Sequence, residues 1–253
     1  MRLPLLDPRL RRLLDLLPDH MSRLIDVGTD HCYLPLHLLA AGRVEQILAI
    51  DCKIGPLEQG KQNVARFGFQ DRVTFQLSDG LYETDLSAED WIVIAGMGGL
   101  EIRDILSAAS LVPGVHLLLQ PMKSLPELRH FLMTNTFLIV DEQLATSKGR
   151  YFPILHVTVG TSNDSETARH SYQSNLEFEI ATYVGSMLCN RENQDTVTQR
   201  LWPMYREKEL QRAEQIAARG GPVVWRHVAE FYREEKNNEN KIIYSIYEPH
   251  SSS

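Results

Sequence analysis

Short apolar runs alternate with segments of helical periodicity over the first 160 residues of the chain. Buried strands are predicted over Arg23–Val27, Gln46–Asp51, Val73–Leu77, Trp91–Ala95 and Val115–Gln120. Helices are predicted over residues 8–17, 33–41, 56–67, 100–109 and 126–134, the first with Asp7 as its N-cap. Alternating strands and helices are typical of an α/β fold, in which helices cover both faces of a parallel sheet.

Two extended runs, at 137–145 and 151–159, follow one another without a helix between them. Consecutive strands joined by a short turn pair antiparallel, so these two runs are predicted to form a hairpin. The predicted fold is therefore a mostly parallel, doubly wound sheet with an antiparallel edge.

The character of the chain changes after about residue 160. Long, mixed-charge helices are predicted over Ser165–Asn190, Thr196–Arg219 and Val223–Asn240. Their apolar positions are too sparse to suggest a self-contained core, the clearest being Leu201, Met204, Tyr205, Ile216 and Val223. We therefore expect a main domain at 1–160 and a helical, coiled-coil-like region at 161–253, packed on that domain or projecting from it.

The composition suits a globular enzyme: 43% of the 253 residues are hydrophobic, which is enough for a packed core. The N-terminus has no signal-peptide pattern, and no apolar run approaches the length of a membrane span. The three cysteines form no close pair, so neither a disulfide framework nor a metal site is predicted. These features favour a cytoplasmic protein without a membrane partner.

The charge of the chain narrows the possible contacts with nucleic acid. The net charge is −7, and from residue 161 onward there are 11 Lys and Arg against 14 Asp and Glu. Neither part is globally basic, so any RNA contact requires a local patch. The candidates are the arginines of the C-terminal helices and a group near the N-terminus, Arg2, Arg9, Arg11 and Arg12.

The segment Asp26–His31 follows the first predicted strand, where open α/β sheets bind ligands. Gly28 permits a tight turn close to a ligand. The segment lacks the dinucleotide fingerprint, because Asp30 and Tyr33 stand where glycines are needed, and a carboxylate there disfavours a pyrophosphate. A cofactor with an amino group and a sulfonium, as in S-adenosylmethionine, fits Asp26 and Asp30 better. The alternative is a structural turn with capping aspartates.

Two further acidic residues follow the next strands. Asp51 ends the second strand, 23 residues after Gly28, where a carboxylate can accept hydrogen bonds from ribose hydroxyls of NAD or S-adenosylmethionine. Asp79 and Gly80 follow the third strand and are placed to meet an adenine amino group. Helix capping at Asp51 and an ordinary turn at Ser78–Gly80 are the structural alternatives.

A glycine-rich turn follows the fourth strand, with three glycines among residues 96–99. In a doubly wound sheet this turn faces the first site, and the glycines permit close approach to a ligand. Gln120 and Pro121, after the fifth strand, are weaker candidates for the substrate pocket. His31 beside Asp30 has the composition of an acid–base pair, although neighbouring side chains on a turn usually point apart.

Together these strings resemble the bacterial tRNA (adenine-N1)-methyltransferase family that acts on adenosine 22 of tRNA. The resemblance covers residues 5–160 and rests on Asp26-Val-Gly-Thr-Asp-His-Cys-Tyr-Leu-Pro35, Gly55-Pro56, Ser78-Asp-Gly-Leu81, Ile94-Ala-Gly-Met-Gly-Gly99 and Leu119-Gln-Pro121. It implies a class I, Rossmann-like methyltransferase that transfers a methyl group from S-adenosylmethionine to N1 of an unpaired or extruded adenosine. It also implies a helical C-terminal region that helps to hold tRNA.

The resemblance and the motifs give a set of expected site residues. Cofactor binding is expected from Asp26, Gly28, Thr29, His31, Asp51, Asp79, Gly80 and Ala95. Contact with the target base is expected from Asp30, Gly96, Met97 and Gly98. Three other functions remain open: a methyltransferase acting on a small molecule or protein, an NAD-dependent oxidoreductase, and a non-enzymatic adaptor that binds S-adenosylmethionine. The sequence does not choose between a monomer and a dimer.

Overall fold

The computed structural model describes residues 2–161, 172–190 and 194–237, and within them it contains one seven-stranded sheet. The strands are β1 (Met21–Val27), β2 (Val44–Asp51), β3 (Val73–Leu77), β4 (Trp91–Met97), β5 (His116–Pro121), β6 (Phe137–Ser147) and β7 (Arg150–Val159). Their order across the sheet is β3-β2-β1-β4-β5-β7-β6. Strands β1 to β5 are parallel, whereas β7 runs antiparallel to both β5 and β6. The predicted strands and the edge hairpin are confirmed.

The predicted helices of the main domain are also present, with ends shifted by one or two residues. They are α1 (Pro8–Leu16), α2 (Tyr33–Ala40), α3 (Ile54–Arg66), α4 (Gly99–Ala108) and α5 (Leu125–Thr134). Asp7 caps α1 as expected, because its carboxylate accepts a hydrogen bond of 2.9 Å from the Arg9 amide. Pro8 occupies the first turn, where its missing N–H costs nothing.

Alternating residues of β1 supply two separate cores, one on each face of the sheet. Leu24 packs in a cluster with α1 and α2, and Ile25 packs on the other face with α4 and α5. Both side chains are fully buried. Successive residues of a strand point to opposite faces, and this period of two explains why a central parallel strand is apolar throughout.

The C-terminal region contains four helices among the described residues: α6 (Asn175–Val184), α7 (Ser186–Cys189), α8 (Thr196–Ala218) and α9 (Val224–Asn237). The prediction of one helix over Ser165–Asn190 is wrong where it can be examined, because Gly185 has φ of 80° and separates α6 from α7. Residues 165–171 of that predicted helix, and 238–240 of the last one, lie outside the described residues.

The C-terminal helices pack on the main domain, which is one of the two arrangements expected. A third cluster of buried residues joins them to β6 and comprises Leu144, Val184, Leu188, Leu201, Trp202, Tyr205, Leu210, Ala213, Val224, Val228, Ala229, Phe231 and Tyr232. Met204 and Val223, counted as core positions from sequence, are 48% and 64% exposed. Aromatic side chains, Trp202, Tyr205, Phe231 and Tyr232, form a large part of this cluster. Among the described helices, none is both long and apolar enough to cross a membrane.

Acid is expected to destabilise the fold through His156. Its ring stacks on Trp91, with centroids 4.9 Å apart, and its Nε2 lies 3.2 Å from Nδ1 of His116. Burial, reinforced by His116, lowers the pKa of His156 to about 4. The unfolded state therefore binds more protons between about pH 6.5 and 4, and the free energy of unfolding falls as the pH falls through that window.

The measurement is urea unfolding at several pH values for the parent protein and for His156→Phe, which keeps an aromatic ring. The parent should lose about 1 to 2 kcal/mol more than the variant between pH 7 and 5, after allowance for the partial exposure of the ring. Parallel pH profiles for the two proteins would show that this histidine does not govern acid stability.

Candidate active site

A cavity of about 770 Å³ opens at the carboxyl ends of β1, β2 and β4. Eleven of the twelve expected site residues line it: Asp26, Gly28, Thr29, Asp30, His31, Asp51, Asp79, Gly80, Ala95, Gly96 and Met97. Gly98 is absent from the lining. The volume is within the range of about 300–1,000 Å³ that ligand pockets usually have.

The turn after β1 brings backbone and side-chain polar groups to the cavity. The amides of Gly28 and Thr29 both donate to the carbonyl of Ile50 on β2, at 2.8 and 3.0 Å. Gly28 has φ of 75°, and a Cβ atom there would lie 2.4 Å from the Met97 methyl carbon. Glycine is therefore required at position 28 both by the backbone conformation and by the close approach of the β4 turn.

Asp51 ties the turns after β1 and β2 together. Its Oδ2 accepts a hydrogen bond of 3.2 Å from the Asp30 amide, and its Oδ1 accepts one of 2.9 Å from the Lys53 amide. A carboxylate has about four acceptor positions, so Asp51 retains capacity for a ligand. The helix-capping role considered from sequence is wrong, because Lys53 is the N-cap of α3 and no side chain caps that helix, whereas the Asp51 carboxylate lines the cavity.

Asp26 is the most deeply buried carboxyl group of the site, with 6% of its surface exposed. Burial raises its pKa to about 6, and the nearby charge of Asp51 acts in the same direction. A buried carboxylate with an elevated pKa is poised to pair with a cationic group of a ligand. On the far side of the cavity, Gly80 has φ of 80° and packs against Ile105, which leaves Asp79 at the surface of the pocket.

Asp30 and His31 are nearer to each other than the sequence suggested. The expectation that their side chains point apart is wrong, because His31 Nε2 lies 3.7 Å from Asp30 Oδ1. Both side chains are open to solvent, with 66% of Asp30 and 43% of His31 exposed. A ligand at the mouth of the cavity can therefore reach either group.

One part of the glycine-rich turn lines the cavity, and the other part packs against neighbouring segments. Gly96 has φ of 80° and lines the cavity. Gly98 caps α4 instead, and its amide donates to Glu101 Oε2 at 3.1 Å. Gly99 packs against the next turn, where a Cβ atom would lie 2.2 Å from the Ser124 carbonyl oxygen. Only part of this turn can therefore touch a ligand directly.

Arg9 is the lining residue that the sequence did not assign to the pocket. Its Nη1 donates a hydrogen bond to Oε1 of Gln120, which is completely buried. Gln120 was expected to line the substrate pocket, but it lies beneath Arg9 and outside the lining. Arg12, grouped with Arg9 in a possible RNA patch, is buried and bonded to the Leu144 carbonyl at 3.0 Å and to Asp195, so that role is wrong for it.

Two acidic residues of α4, Glu101 and Asp104, also line the cavity and were not expected there. Glu101 and Asp104, like Arg9, lie on the cavity side of a helix that flanks the sheet. The only sequence signal that could have indicated them is their spacing along one face of a helix. Without the arrangement of α1 and α4 around the strands, that spacing is indistinguishable from an ordinary solvated face.

The strand order, the antiparallel edge and the acidic residues at successive strand ends define a class I, Rossmann-like methyltransferase fold. The sequence profile of the methyltransferase-domain family matches residues 6–155. The chain belongs to this family.

The chain is also similar to individual proteins of known name or structure, and two of these carry the name of the family that the motifs resemble. The chain is 26% identical to the tRNA (adenine(22)-N(1))-methyltransferase of Bacillus subtilis over 190 residues, which are 74% of this chain and 76% of the relative. A crystal structure of a putative tRNA (m1A22) methyltransferase of Streptococcus pneumoniae, in complex with S-adenosyl-L-methionine, is 26% identical with a TM-score of 0.67, covering 91% of this chain and 99% of that one. A protein of the NADB-Rossmann superfamily from Streptococcus agalactiae is 27% identical with a TM-score of 0.70, covering 92% and 98%.

Proposed function

We propose that this protein methylates N1 of an adenosine in tRNA with S-adenosylmethionine as methyl donor, and that the position is adenosine 22, as in the name of the Bacillus subtilis relative. The observation that carries the proposal is the convergence of Asp26, Asp51 and Asp79 on one cavity. They follow three adjacent parallel strands, β1, β2 and β3.

The residues of the cavity fit S-adenosylmethionine. Asp51 has free acceptor positions for the two ribose hydroxyls, and Asp26 is placed to pair with a cationic group. Asp79 and Gly80 lie where the adenine would lie, and Thr29, His31 and Ala95 complete the proposed wall. When bound, the cofactor supplies a methyl group on a positively charged sulfur.

The chemical role left to the protein is mainly alignment. N1 of adenine carries a lone pair at neutral pH, so no base is needed to create the nucleophile. Correct orientation of the reactants can contribute about 7 to 11 kcal/mol in favourable cases. Gly96 and Met97 leave room for the base beside the cavity, while Gly98 acts through the geometry of the turn. In a duplex N1 is engaged in pairing, so we propose that the adenosine is unpaired or extruded.

Asp30 is the proposed contact to the target base. Its side chain is two-thirds exposed at the cavity mouth, and its carboxylate can accept a hydrogen bond from the N6 amino group. Methylation makes the base cationic, and a neighbouring carboxylate stabilises the charge as it develops. This function needs no proton transfer by Asp30.

An RNA substrate is favoured by a basic border that consists of residues on two turns adjoining α1 and the start of α4. Lys148 and Arg150 stand at the β6–β7 turn, which contacts α1 through a hydrogen bond of 3.0 Å from Ser147 to Asp7. Lys123 packs beside Gly98, where a Cβ atom would lie 3.0 Å from its Cε. A methyltransferase of small molecules or proteins does not require such a border. The carboxylates around Gly28 disfavour the NAD-dependent alternative.

The test is transfer of radiolabelled methyl groups from S-adenosylmethionine to unmodified tRNA, with product nucleosides identified by mass spectrometry. 1-Methyladenosine at position 22 is the expected product. Cofactor binding by calorimetry without labelling of any tRNA would refute the RNA substrate and favour the adaptor or another methyl acceptor. Location in the cytoplasm, where tRNA would be met, stays a prediction.

Asp30→Ala is expected to lower kcat for tRNA methylation about 10²- to 10³-fold, in the range found for a lost electrostatic contact in a transition state. Affinity for S-adenosylmethionine and for tRNA should change little, because the side chain is exposed and makes its main contact late in the reaction. Single-turnover kinetics measure the effect. An unchanged rate with undiminished RNA binding would remove Asp30 from the mechanism.

A further inference from the structure

Arg9 places a cation in a cavity that is otherwise rich in carboxylates. The lining contains six carboxyl groups, Asp26, Asp30, Asp51, Asp79, Glu101 and Asp104, against two cationic side chains, the ammonium of Lys53 and the guanidinium of Arg9. Such a cavity repels phosphodiesters, although the proposed substrate must bring a nucleotide with its phosphates to the turn at Gly96. A nearby cation is needed to offset that repulsion.

The guanidinium of Arg9 is held in place by the buried side chain of Gln120. Its Nη1 donates to Oε1 of the buried Gln120, whose Nε2 is fixed by a hydrogen bond of 2.8 Å to the Pro121 carbonyl. Gly96 leaves room for it, since a Cβ atom there would lie 3.3 Å from Nη1 and 3.7 Å from Nη2. The side chain is 19% exposed, and burial lowers the pKa of Arg9, although a guanidinium remains charged in proteins.

Most of the donors of this guanidinium are left for a ligand. Nε lies 3.9 Å from Asp7 Oδ1, a weak contact, and Nη1 is bonded to Gln120. Within the part of the chain that the structure describes, no acceptor bonds Nη2. Arginine presents its donors as a planar fork that matches two oxygens of a phosphate group.

We propose that Arg9 binds the phosphodiester next to the target adenosine, and that Gln120 is a positioning residue that acts through Arg9. The inference rests on the proposed methylation of tRNA and assigns that reaction a further substrate-binding residue. The phosphate lies against the Arg9 guanidinium, which covers Gly96, and the adenine enters the cavity beside it. A nucleoside without its phosphates is therefore a poor substrate.

The experiment compares Arg9→Gln and Arg9→Lys with the control Arg66→Gln, which changes an exposed arginine of α3 outside the cavity lining. Arg9→Gln should lose roughly 10- to 100-fold in kcat/KM for tRNA, the range for a hydrogen bond to a charged group. Arg9→Lys should recover part of this loss. Calorimetry with S-adenosylmethionine should leave all three variants close to the parent protein. Thermal unfolding should stay cooperative in each, with a lower Tm for Arg9→Gln because Gln120 Oε1 loses its donor.

Two further readouts separate phosphate binding from a structural role. The slope of log Kd for tRNA against log salt should fall by about 0.7 to 0.9 in Arg9→Gln, the value for one lost phosphate contact. A tRNA with one uncharged methylphosphonate at the linkage flanking the target adenosine should be a poor substrate for the parent protein. Arg9→Gln should methylate the methylphosphonate tRNA at the same rate as the natural tRNA, because the variant has already lost the phosphate contact.

Two results would overturn the proposal while methylation itself stands. One is additive losses from Arg9→Gln and from the methylphosphonate at both flanking linkages, and the other is an Arg9→Gln variant that behaves like Arg66→Gln. A parent protein that binds tRNA with an Arg9-dependent salt slope but never methylates it would overturn the proposed function and leave the phosphate contact. A parent protein that neither binds nor methylates tRNA would overturn both.

Discussion

Replacing Arg129 with methionine is expected to lower the free energy of unfolding by about 3 to 5 kcal/mol, the usual cost of removing one partner of a buried ion pair. Arg129 lies on α5 and Glu142 on β6, and their side chains are essentially inaccessible to solvent. Nε of Arg129 donates to Oε1 of Glu142 at 2.7 Å. The variant would leave the carboxylate buried without its cation.

The pair also joins the main domain to the C-terminal helices. Nη1 of Arg129 donates to the carbonyls of Thr182 and Tyr183 at the end of α6, at 3.2 and 2.9 Å. Oε2 of Glu142 accepts a hydrogen bond of 3.2 Å from the Leu188 amide on α7. These contacts satisfy backbone groups that a helix end leaves without intrahelical partners. The boundary at residue 160 stays a prediction, and these bonds cross it.

Urea unfolding measures the effect, with two comparisons. The double variant Arg129→Met/Glu142→Met should recover part of the lost stability, because no charge then remains buried. The backbone groups of α6 and α7 that bond the pair still lose their partners. Arg233→Met breaks an exposed pair with Glu214, 2.8 Å long, and should cost less than about 1 kcal/mol. Equal losses for Arg129→Met and Arg233→Met would show that the buried pair contributes no more than a surface one.

The second large effect is expected for Asp26→Asn, which should raise stability while it lowers cofactor binding. Because the pKa of Asp26 is raised to about 6, the folded protein binds more protons than the unfolded chain between about pH 4 and 6. The free energy of unfolding therefore falls as the pH rises through that window and stays lower above it. The asparagine variant avoids this loss and should be about 1 to 3 kcal/mol more stable at pH 8 without ligand.

Binding should move in the opposite direction. Loss of the carboxylate should weaken affinity for S-adenosylmethionine about 100-fold. In the parent protein the affinity should also fall below pH 6, where a proton competes with the cationic ligand for Asp26. Calorimetry and thermal unfolding from pH 5 to 8 measure both effects. Asp15→Asn, an exposed change on α1, is the control and should alter neither. Unchanged affinity in Asp26→Asn would place the cofactor elsewhere.

The sheet could be predicted because its signals are local. Each central strand is a short apolar run, and each flanking helix shows helical spacing with a recognisable cap, such as Asp7 before Pro8. The hairpin followed from the missing helix between β6 and β7. The C-terminal helices were predicted less well, because the predicted helix over Ser165–Asn190 included Gly185, whose positive φ ends α6.

The acidic residues of the site could also be predicted, because the carboxyl ends of parallel strands meet at one edge. Asp26 and Asp51 each lie at the carboxyl end of a strand, so their place in the chain fixes their place in the fold. Arg9 and Gln120 could not be paired in this way. They are 111 residues apart, and only the packing of α1 across the end of β5 brings them together.

The sequence by itself therefore determined the α/β class, the strand-end site and the family to which the chain is similar. Periodicity, helix caps and glycine positions depend on a few neighbouring residues, so they can be recognised in the sequence. The tertiary structure alone decided which half of the glycine-rich turn faces the cavity, which N-terminal arginine enters it and which is buried, and how Arg129 and Glu142 bind the helices to the sheet. Those outcomes depend on burial and on contacts between distant segments, which no local pattern encodes.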